Sequence, residues 1–361
     1  MSKTLFVFSD DFGELVLLRL LLYKQPLHAY LALPERLFPH VTLNNVTKVL
    51  YKNESELKAF TEEVLPDKVM LFSAYLLAPN GMLTYTEFYD FLDYLDRKNI
   101  PISTSDPFMR YYDELDYEVD SQDSFFRIRN KLKQIGERLK GYTHVYGVPV
   151  NLKNVKSQSF SNPNKLKDFT NAENITKTWT FVLAQQDYNL LRADSDNTYH
   201  KIIESVVILL TKVHNIKVNL VFPKALIAQI KQNLGELKGI SYVPYCTLNE
   251  FEHLIVASDL MLYWNIFSAS TLLCRLYNKP TVYLGMGHME AFYPGFYSYI
   301  KHSWFPDNEP EIMAINDAFI PSLIKRIYTT DSKSKDPKLH QPYYQLESPI
   351  EILAVQKTFE L

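Results

Sequence analysis

The sequence predicts an α/β protein made of two Rossmann-like domains facing across a cleft. Three observations carry this expectation. Short apolar runs alternate with longer segments of helical periodicity along most of the chain, the pattern of parallel sheets covered on both faces by helices. The alternation breaks once, near the middle, at Asn151–Lys177, a stretch rich in Asn, Ser and Lys with little periodicity. Finally, 361 residues with 47% hydrophobic content can fill two cores of ordinary size. The expected organisation is a first domain over 1–150, a linker over 151–178, a second domain over 179–330, and a tail with a final helix over 331–361.

The first half reads in order as follows. Thr4–Phe8 is a strand and Gly13–Tyr23 a helix with apolar residues on both sides of Arg19. Leu27–Leu33 and Val46–Tyr51 are strands, with Ser55–Leu65 a helix capped by Asn53. Lys68–Tyr75 is a strand rich in Val, Met, Leu and Phe. Thr84–Arg97 places Phe88, Phe91, Leu92 and Leu95 at helical spacing. Ile100–Thr104 is a strand, Ser124–Leu139 a helix of mixed charge, and Thr143–Val148 the last strand of this half.

The second half repeats the order without repeating the sequence. Trp179–Ala184 is a strand followed by a polar loop, Gln185-Gln186-Asp187-Tyr188. Thr198–His214 is one long helix, Lys217–Phe222 a strand, Ala225–Leu234 a helix and Ile240–Pro244 a strand. Leu248–Ala257 is a helix with Thr247 and Glu250 in capping-box positions. His288–Pro310 reads as an aromatic, irregular segment, and Asn316–Tyr328 as a helix. Ser348-Pro349 opens a last helix by N-cap and N1-proline logic.

Composition narrows the function classes. A net charge of −3 with no Lys/Arg-rich block argues against nucleic acid as the main partner. Two cysteines, Cys246 and Cys274, make no disulfide framework and suit a reducing compartment. The most apolar early run, Leu15–Leu22, is interrupted by Arg19 and is too short to span a bilayer. The chain enters a strand at once, with no signal-peptide pattern, so a cytoplasmic protein is expected. Oligomeric state is not legible.

One stretch organises the second half. In Ser258–Gly287, Leu260–Trp264 is a buried parallel strand and Asn265–Ser270 a small polar turn. Thr271–Tyr277 is a helix, Asn278-Lys279-Pro280 its stop, and Thr281–Leu284 the next strand. A helix start beyond the carboxyl end of a strand favours a phosphate through its N–H groups and dipole. Asn265, Ser268, Ser270 and Thr271 are the candidate ligands; helix capping is the competing account of the same residues. In the following segment, Gly287 permits close backbone approach, His288 can donate to a phosphate or act as acid or base, and Glu290 can accept from sugar hydroxyls. A solvated surface loop is the competing account there.

The order Ala-Ser-Asp-Leu, polar turn, helix, Lys-Pro, strand, Gly over about thirty residues resembles the donor-domain signature of GT-B-fold glycosyltransferases and their nucleotide-sugar epimerase relatives. The resemblance implies a nucleotide-sugar donor whose diphosphate sits on the helix starting near Ser268–Thr271, no obligatory metal or other cofactor, and a final helix returning to the first domain. Two departures stand out. Many members have two glycines in the turn, where this chain has Ile266-Phe267-Ser268-Ala269-Ser270. Many also carry a ribose-holding glutamate on the helix, where this chain has Leu273 and Cys274.

The loop Ser9-Asp10-Asp11-Phe12-Gly13-Glu14 follows the first strand and opens the first helix. Carboxylates there can serve as general base for an acceptor hydroxyl, and the resemblance places this loop toward the acceptor. Asp10 and Asp11 are the candidates. N-capping explains one acid, not three within this loop. Ser105-Asp106 ends another strand but reads as a turn before Pro107. Asp194-Ser195-Asp196 spells a metal-binding Asp-x-Asp, yet its place before a long helix fits capping better. No His/Cys cluster has metal spacing. The aromatic segment Phe292–Phe305 can stack sugars or serve as cover, and cover is favoured. Arg275 and Lys279 lie at the far end of the phosphate helix, where a surface role is expected.

The leading expectation is therefore a GT-B-type glycosyltransferase. Its alternatives are a nucleotide-sugar epimerase or hydrolase on the same fold, and a non-catalytic binding or scaffold protein.

Overall fold

A computed structural model describes residues 3–22, 29–43, 46–114, 129–147, 157–159, 161–167, 178–194, 199–244, 246–277, 279–285, 287–305, 310, 312–329 and 343–346. These form two compact α/β units, with the division falling inside the strand Ser161–Lys167.

The first unit is built on a seven-stranded parallel sheet. Its strands are β1 (Thr4–Phe8), β2 (Ala29–Leu33), β3 (Val46–Leu50), β4 (Lys68–Phe72), β5 (Ile102–Ser105), β6 (Thr143–Tyr146) and β7 (Ser157–Ser159), in the order β3-β2-β1-β4-β5-β6-β7. The helices between them are α1 (Gly13–Leu22), α2 (Glu54–Val64), α3 (Ala74–Leu77), α4 (Tyr85–Arg97), α5 (Tyr111–Glu114) and α6 (Arg129–Leu139). Every residue of β1 is buried, as a parallel strand covered on both faces must be. Its register sets Val7 beside Ala32 on one side and Leu71 on the other. Phe8 and Phe72 stack across it with ring centroids 4.5 Å apart. The strand order reverses direction between β1 and β4, so a crevice opens beyond their carboxyl ends.

The helices of this unit start where the sequence marks them. Asn53 accepts from Glu56 N–H at 3.0 Å at the start of α2. At α4, Thr84 and Glu87 exchange side-chain-to-backbone bonds, a complete capping box. Two expectations needed correction here. The stretch read as linker contains β7, which extends the first sheet, and β8 (Ser161–Lys167). Sparse apolar residues hid both strands from a pattern reading. In addition, α3 and α5 are single turns too short to leave a period in the sequence.

The second unit has a six-stranded parallel sheet in the order β11-β10-β9-β12-β13-β14. Its strands are β9 (Thr178–Val182), β10 (Lys217–Val221), β11 (Ile240–Val243), β12 (Leu260–Tyr263), β13 (Thr281–Gly285) and β14 (Ile312–Ala314). Its helices are α7 (Gln185–Asp194), α8 (Tyr199–Ile208), α9 (Lys224–Leu234), α10 (Leu248–Ala257), α11 (Thr271–Leu276), α12 (His288–Phe292), α13 (Pro294–Trp304) and α14 (Phe319–Thr329). The switch point lies between β9 and β12. The core centres on Trp264, which Phe222 meets edge-on at 5.6 Å and Phe181 at 6.0 Å. A fifteenth strand, β15 (Tyr343–Leu346), pairs with β8 as a separate two-stranded sheet.

Three further expectations changed. Gln185–Tyr188 opens the helix α7 rather than a loop, because Tyr188 and Leu191 give it a buried face. The long helix over 198–214 ends in one wide turn after α8, where His214 N–H reaches Leu209 O at 3.2 Å. The aromatic segment is two helices, the second opened by Pro294 at its first turn. Lys279 is structural: its ammonium donates to Val256 O at 2.6 Å and Ser258 O at 2.8 Å, closing the end of α10. The final helix expected from Ser348 and the tail over 331–342 lie outside the described residues, as do Ser195 and Asp196.

The α10 capping box makes a direct test of this local reading. Thr247 accepts from Glu250 N–H at 3.3 Å while Glu250 accepts from Thr247 N–H at 2.7 Å. Thr247→Ala should lower the unfolding free energy by about 1 kcal/mol in urea titration. An unchanged midpoint would show the cap to be energetically idle.

Candidate functional site

In the second unit, polar groups gather at the carboxyl ends of β9, β12 and β13. After β12, Asn265 Oδ1 accepts from Phe267 N–H at 3.0 Å, which folds the chain back in an Asx turn. The Asn265 side chain also bonds Asp187, in the first turn of α7 beyond β9. Asp187 is 2% exposed, and burial pushes its carboxyl up to about 7 against the pull of Asn265 and the Ala184 backbone. Sequence reasoning missed Asp187, which it assigned to a loop.

The turn itself is tightly wound. The N–H groups of Thr271, Leu272 and Leu273 bond the carbonyls of Ser268, Ala269 and Ser270 at 2.9, 3.0 and 3.1 Å. Thr271 is buried and its hydroxyl donates back to Ser268 O at 2.8 Å. Ser268 and Ser270 are half-buried and their hydroxyls lie 2.9 Å apart. Ser270 also donates to Tyr263 at 3.3 Å. Ser270 thus gives its hydrogen to Tyr263 and Ser268 gives its own to Ser270, so a ligand at this helix start would take these hydrogens by exchanging those bonds. Leu273 and Cys274 are buried, so the outward face of α11 carries no carboxylate at those positions.

After β13, Gly285 is fixed by packing. A Cβ there would meet Ile312 Cγ2 at 2.5 Å. Gly287 takes φ 78° and turns the chain into α12. His288, the first residue of α12, is 1% exposed, whereas Glu290 is exposed. The helices α12 and α7 pack together, and Gln186 donates to Tyr293 at 3.1 Å. His288 and Asp187 thus sit on touching helices over one end of the sheet.

In the first unit, the acids after β1 divide into distinct environments. Asp10 is held by Arg36, whose Nε lies 2.8 Å from both carboxylate oxygens and whose guanidinium stacks 4.6 Å over the Phe12 ring. Asp11 is half-buried, and its Oδ1 accepts from Gly13 N–H at 2.8 Å. Burial raises the Asp11 carboxyl above its ordinary range, while the Gly13 N–H and the Arg36 charge oppose that. The third acid, Glu14, is 3% exposed. Ser73 bonds its Oε1, and Ser105 donates to its Oε2 at 2.8 Å. Burial first, then the neighbouring Asp11, pushes Glu14 up to about 8.

Asp106 is a turn residue, as its place before Pro107 suggests. Its oxygens accept from Phe108 N–H at 2.9 Å and Arg110 N–H at 2.8 Å. His144, fully buried in β6, escaped the sequence reading. Its Nδ1 lies 3.1 Å from Tyr142 O and must donate there, so Nε2 accepts from Tyr75 at 2.8 Å. Burial pulls this imidazole down to about 4 and keeps it neutral. Arg19 sits half-buried within α1. Among the described residues no group of three or more His, Cys, Asp or Glu clusters as metal ligands do. No described helix is long and apolar enough to cross a membrane.

Comparison with protein-family models and with curated protein sequences finds no match. Solved structures do match along the whole chain. The UDP-GlcNAc 2-epimerase of Methanocaldococcus jannaschii aligns with a TM-score of 0.55 at 10% identity, covering 99% of this chain and 100% of its own. The Neisseria meningitidis enzyme of the same name, bound to UDP-GlcNAc, aligns at 0.53 and 11% identity over 98% and 100%. Phytolacca americana UGT2, complexed with UDP-2-fluoro-glucose and pterostilbene, aligns at 0.56 and 9% identity over 99% of both chains. The chain has the GT-B fold. At such identity the likeness speaks for architecture. The GT-B fold accommodates epimerases as well as glycosyltransferases, as these neighbours illustrate.

The buried Asp187 gives a pH signature. The folded protein keeps its proton up to about 7, whereas the unfolded chain releases it near the ordinary aspartate value of 3.8. Between those values the folded state binds more protons, so this group's stabilisation is lost as pH rises. Asp187→Asn should therefore gain on the parent by about 1.4 kcal/mol per pH unit between pH 5 and 7, measured by urea unfolding. A gap between the two proteins that stays constant with pH would place the Asp187 proton elsewhere.

Proposed function

We propose that this chain is a nucleotide-sugar enzyme of glycosyltransferase type. The observation that carries the reading is the Ser268–Ser270 hydroxyl pair at the start of α11, anchored through Asn265 to the carboxyl end of the second sheet. A diphosphate at that turn meets two hydroxyl donors and the positive end of the helix dipole. As the glycosidic bond breaks, the charge grows on the diphosphate oxygen, and the two hydroxyls stabilise it by turning their hydrogens from each other and from Tyr263 toward the ligand. The neighbours' UDP and UDP-sugar ligands are consistent with a diphosphate of this kind.

The first unit supplies the acid–base group. Asp11 is the better candidate of the two sequence-predicted acids, because Asp10 is committed to Arg36. A half-buried carboxylate with a raised affinity for protons is suited to accept the proton of an acceptor hydroxyl. His288, being buried, acts through packing under this reading, and Glu290 remains exposed beside it for a polar contact with the donor. A second reading, epimerisation of the same donor, keeps the diphosphate turn and dispenses with the acceptor. The full-length alignments with 2-epimerases favour keeping it in view. A reduced compartment suits the two free cysteines.

The test is a thermal-shift screen of the purified protein against UDP, GDP, TDP, CDP and their common sugars. At about 100 times its dissociation constant, the right nucleotide should add roughly 2.7 kcal/mol to the parent. It should add nothing to Ser270→Glu, which sets a negative charge in the turn. No shift with any nucleotide would favour a scaffold. Once a nucleotide is found, Asp11→Asn should retain its thermal shift and lose turnover of the sugar, whereas Asp10→Asn should retain a measurable rate. Product analysis without an acceptor then separates epimerisation from transfer.

A further inference from the structure

We propose that Glu14 is a positioning residue that holds a proton between Ser73 and Ser105, leaving Asp11 as the ionised carboxylate of their shared loop and helix start. The consequence for catalysis rests on the reading of Asp11 given above, but the proton assignment stands on the first unit alone.

The argument begins with what faces Glu14. Its two oxygens meet the hydroxyls of Ser73, beyond β4, and Ser105, at the end of β5. The charged groups facing it are Asp11 on its own loop and helix and Asp106 beyond β5, both acidic. Of the nearby cations, Arg36 is bound to Asp10 and its charge acts on Asp11, and the buried Arg110, beyond Asp106, lies 5.6 Å over the Tyr112 ring. Two neighbouring carboxyls in a buried setting, with the local cation already engaged, cannot both ionise near neutrality. The deeper one keeps the proton. Glu14 is 3% exposed, while Asp11 is half-buried and has the Gly13 N–H and the Arg36 charge to support an anion.

The hydrogen bonds leave a place for that proton. Ser105 Oγ accepts from Ser73 N–H at 2.7 Å, so its one hydrogen is committed to Glu14 Oε2. The remaining close contact is Ser73 Oγ with Glu14 Oε1, where the hydroxyl donates to an ionised carboxylate and accepts from a protonated one. Ser73 holds φ 49°, a left-handed backbone that is unfavourable for a non-glycine residue. That conformation brings both its N–H and its Oγ into the network. A side chain of merely apolar filling would need neither. The raised proton affinity of Glu14 agrees with the geometry.

The chemical result is a division of labour between adjacent acids. A neutral Glu14 adds no repulsion to Asp11 and leaves it free to gain a proton from a hydroxyl. An ionised Glu14 would place a second charge beside it and drive Asp11 toward protonation before any substrate arrives.

Carbon-13 carboxyl titration of the full chain by NMR tests this without any nucleotide, so its outcome is separate from that of the thermal-shift screen. Signals are assigned by their loss in Glu14→Gln and Asp11→Asn. The expected result is a Glu14 midpoint near 8 and an Asp11 midpoint that is the same in the parent and in Glu14→Gln, since glutamine is as neutral as the protonated acid. A Glu14 midpoint below about 6, or an Asp11 midpoint lowered by about a unit or more in Glu14→Gln, would overturn the proposal. Should Glu14→Gln not fold, Ser105→Ala gives the same information. Loss of that donor removes support for the Glu14 anion, so one carboxyl midpoint should move further up. A set of midpoints unchanged by Ser105→Ala would also overturn it.

Discussion

Parallel strands buried on both faces impose the constraint on which the rest of this molecule depends. Such a strand satisfies its backbone sideways and is apolar along its length, as β1 and β12 are. At its carboxyl end the chain must turn toward a helix, and polar groups enter the interior there. Each must find a partner or forfeit its ionisation. In both units the first acid inside the helix after the leading central strand is buried: Glu14 beyond β1 and Asp187 beyond β9. Both are raised by burial before any other influence. Their positions correspond because both follow the strand at which the sheet order reverses.

The partners differ in chemistry. Asp187 is met by an amide and a backbone N–H, which are donors only toward a carboxylate oxygen. Those donors moderate its proton affinity. Glu14 is met by hydroxyls, which can accept as well as donate, and it faces two further acids. Hydroxyl partners tolerate either protonation state, so nothing in the network forces the proton off. Similar placement on the fold therefore yields in both units a buried acid whose proton affinity is raised by burial and opposed by its hydrogen-bond donors.

Much of the fold was legible because its strongest signal is local. Runs such as Leu5–Phe8 and Leu260–Tyr263 declare a buried strand by themselves, and Thr84-x-x-Glu87 and Thr247-x-x-Glu250 declare helix starts. The misread elements lacked such a signal or hid it. The segment Gln185–Asp194 looks polar until Tyr188 and Leu191 are seen on one face. Pro294 announced a helix start, but eleven residues with four aromatics read first as an irregular cover. The candidate site was less legible for a different reason. Ser73 and Ser105 reach Glu14 from 59 and 91 residues away, so no spacing in the sequence could link them. What the sequence did offer was three acids in one short loop, an excess that helix capping alone does not use. The structure accounts for each: Asp10 in an ion pair, Asp11 at the helix start, Glu14 inward.

The same logic explains how the turn at 265–271 does without glycine pairs. A glycine-rich turn lets the backbone approach a phosphate closely and leaves its N–H groups to bind. Here the N–H groups of 271–273 close a tight turn on the carbonyls of 268–270. With those donors spent internally, a diphosphate bound as proposed would meet the side-chain hydroxyls of Ser268 and Ser270 instead. Hydroxyls rotate, so they need a support that backbone donors do not. Tyr263 provides it from the last position of β12, 3.3 Å from Ser270, and is itself buried against Cys274 at 3.4 Å. Burial holds the Tyr263 proton in place far above the neutral range, so its role toward Ser270 does not change with pH. A buried phenol and an Asx turn thus give two flexible side chains the fixed geometry that glycine loops obtain from the backbone.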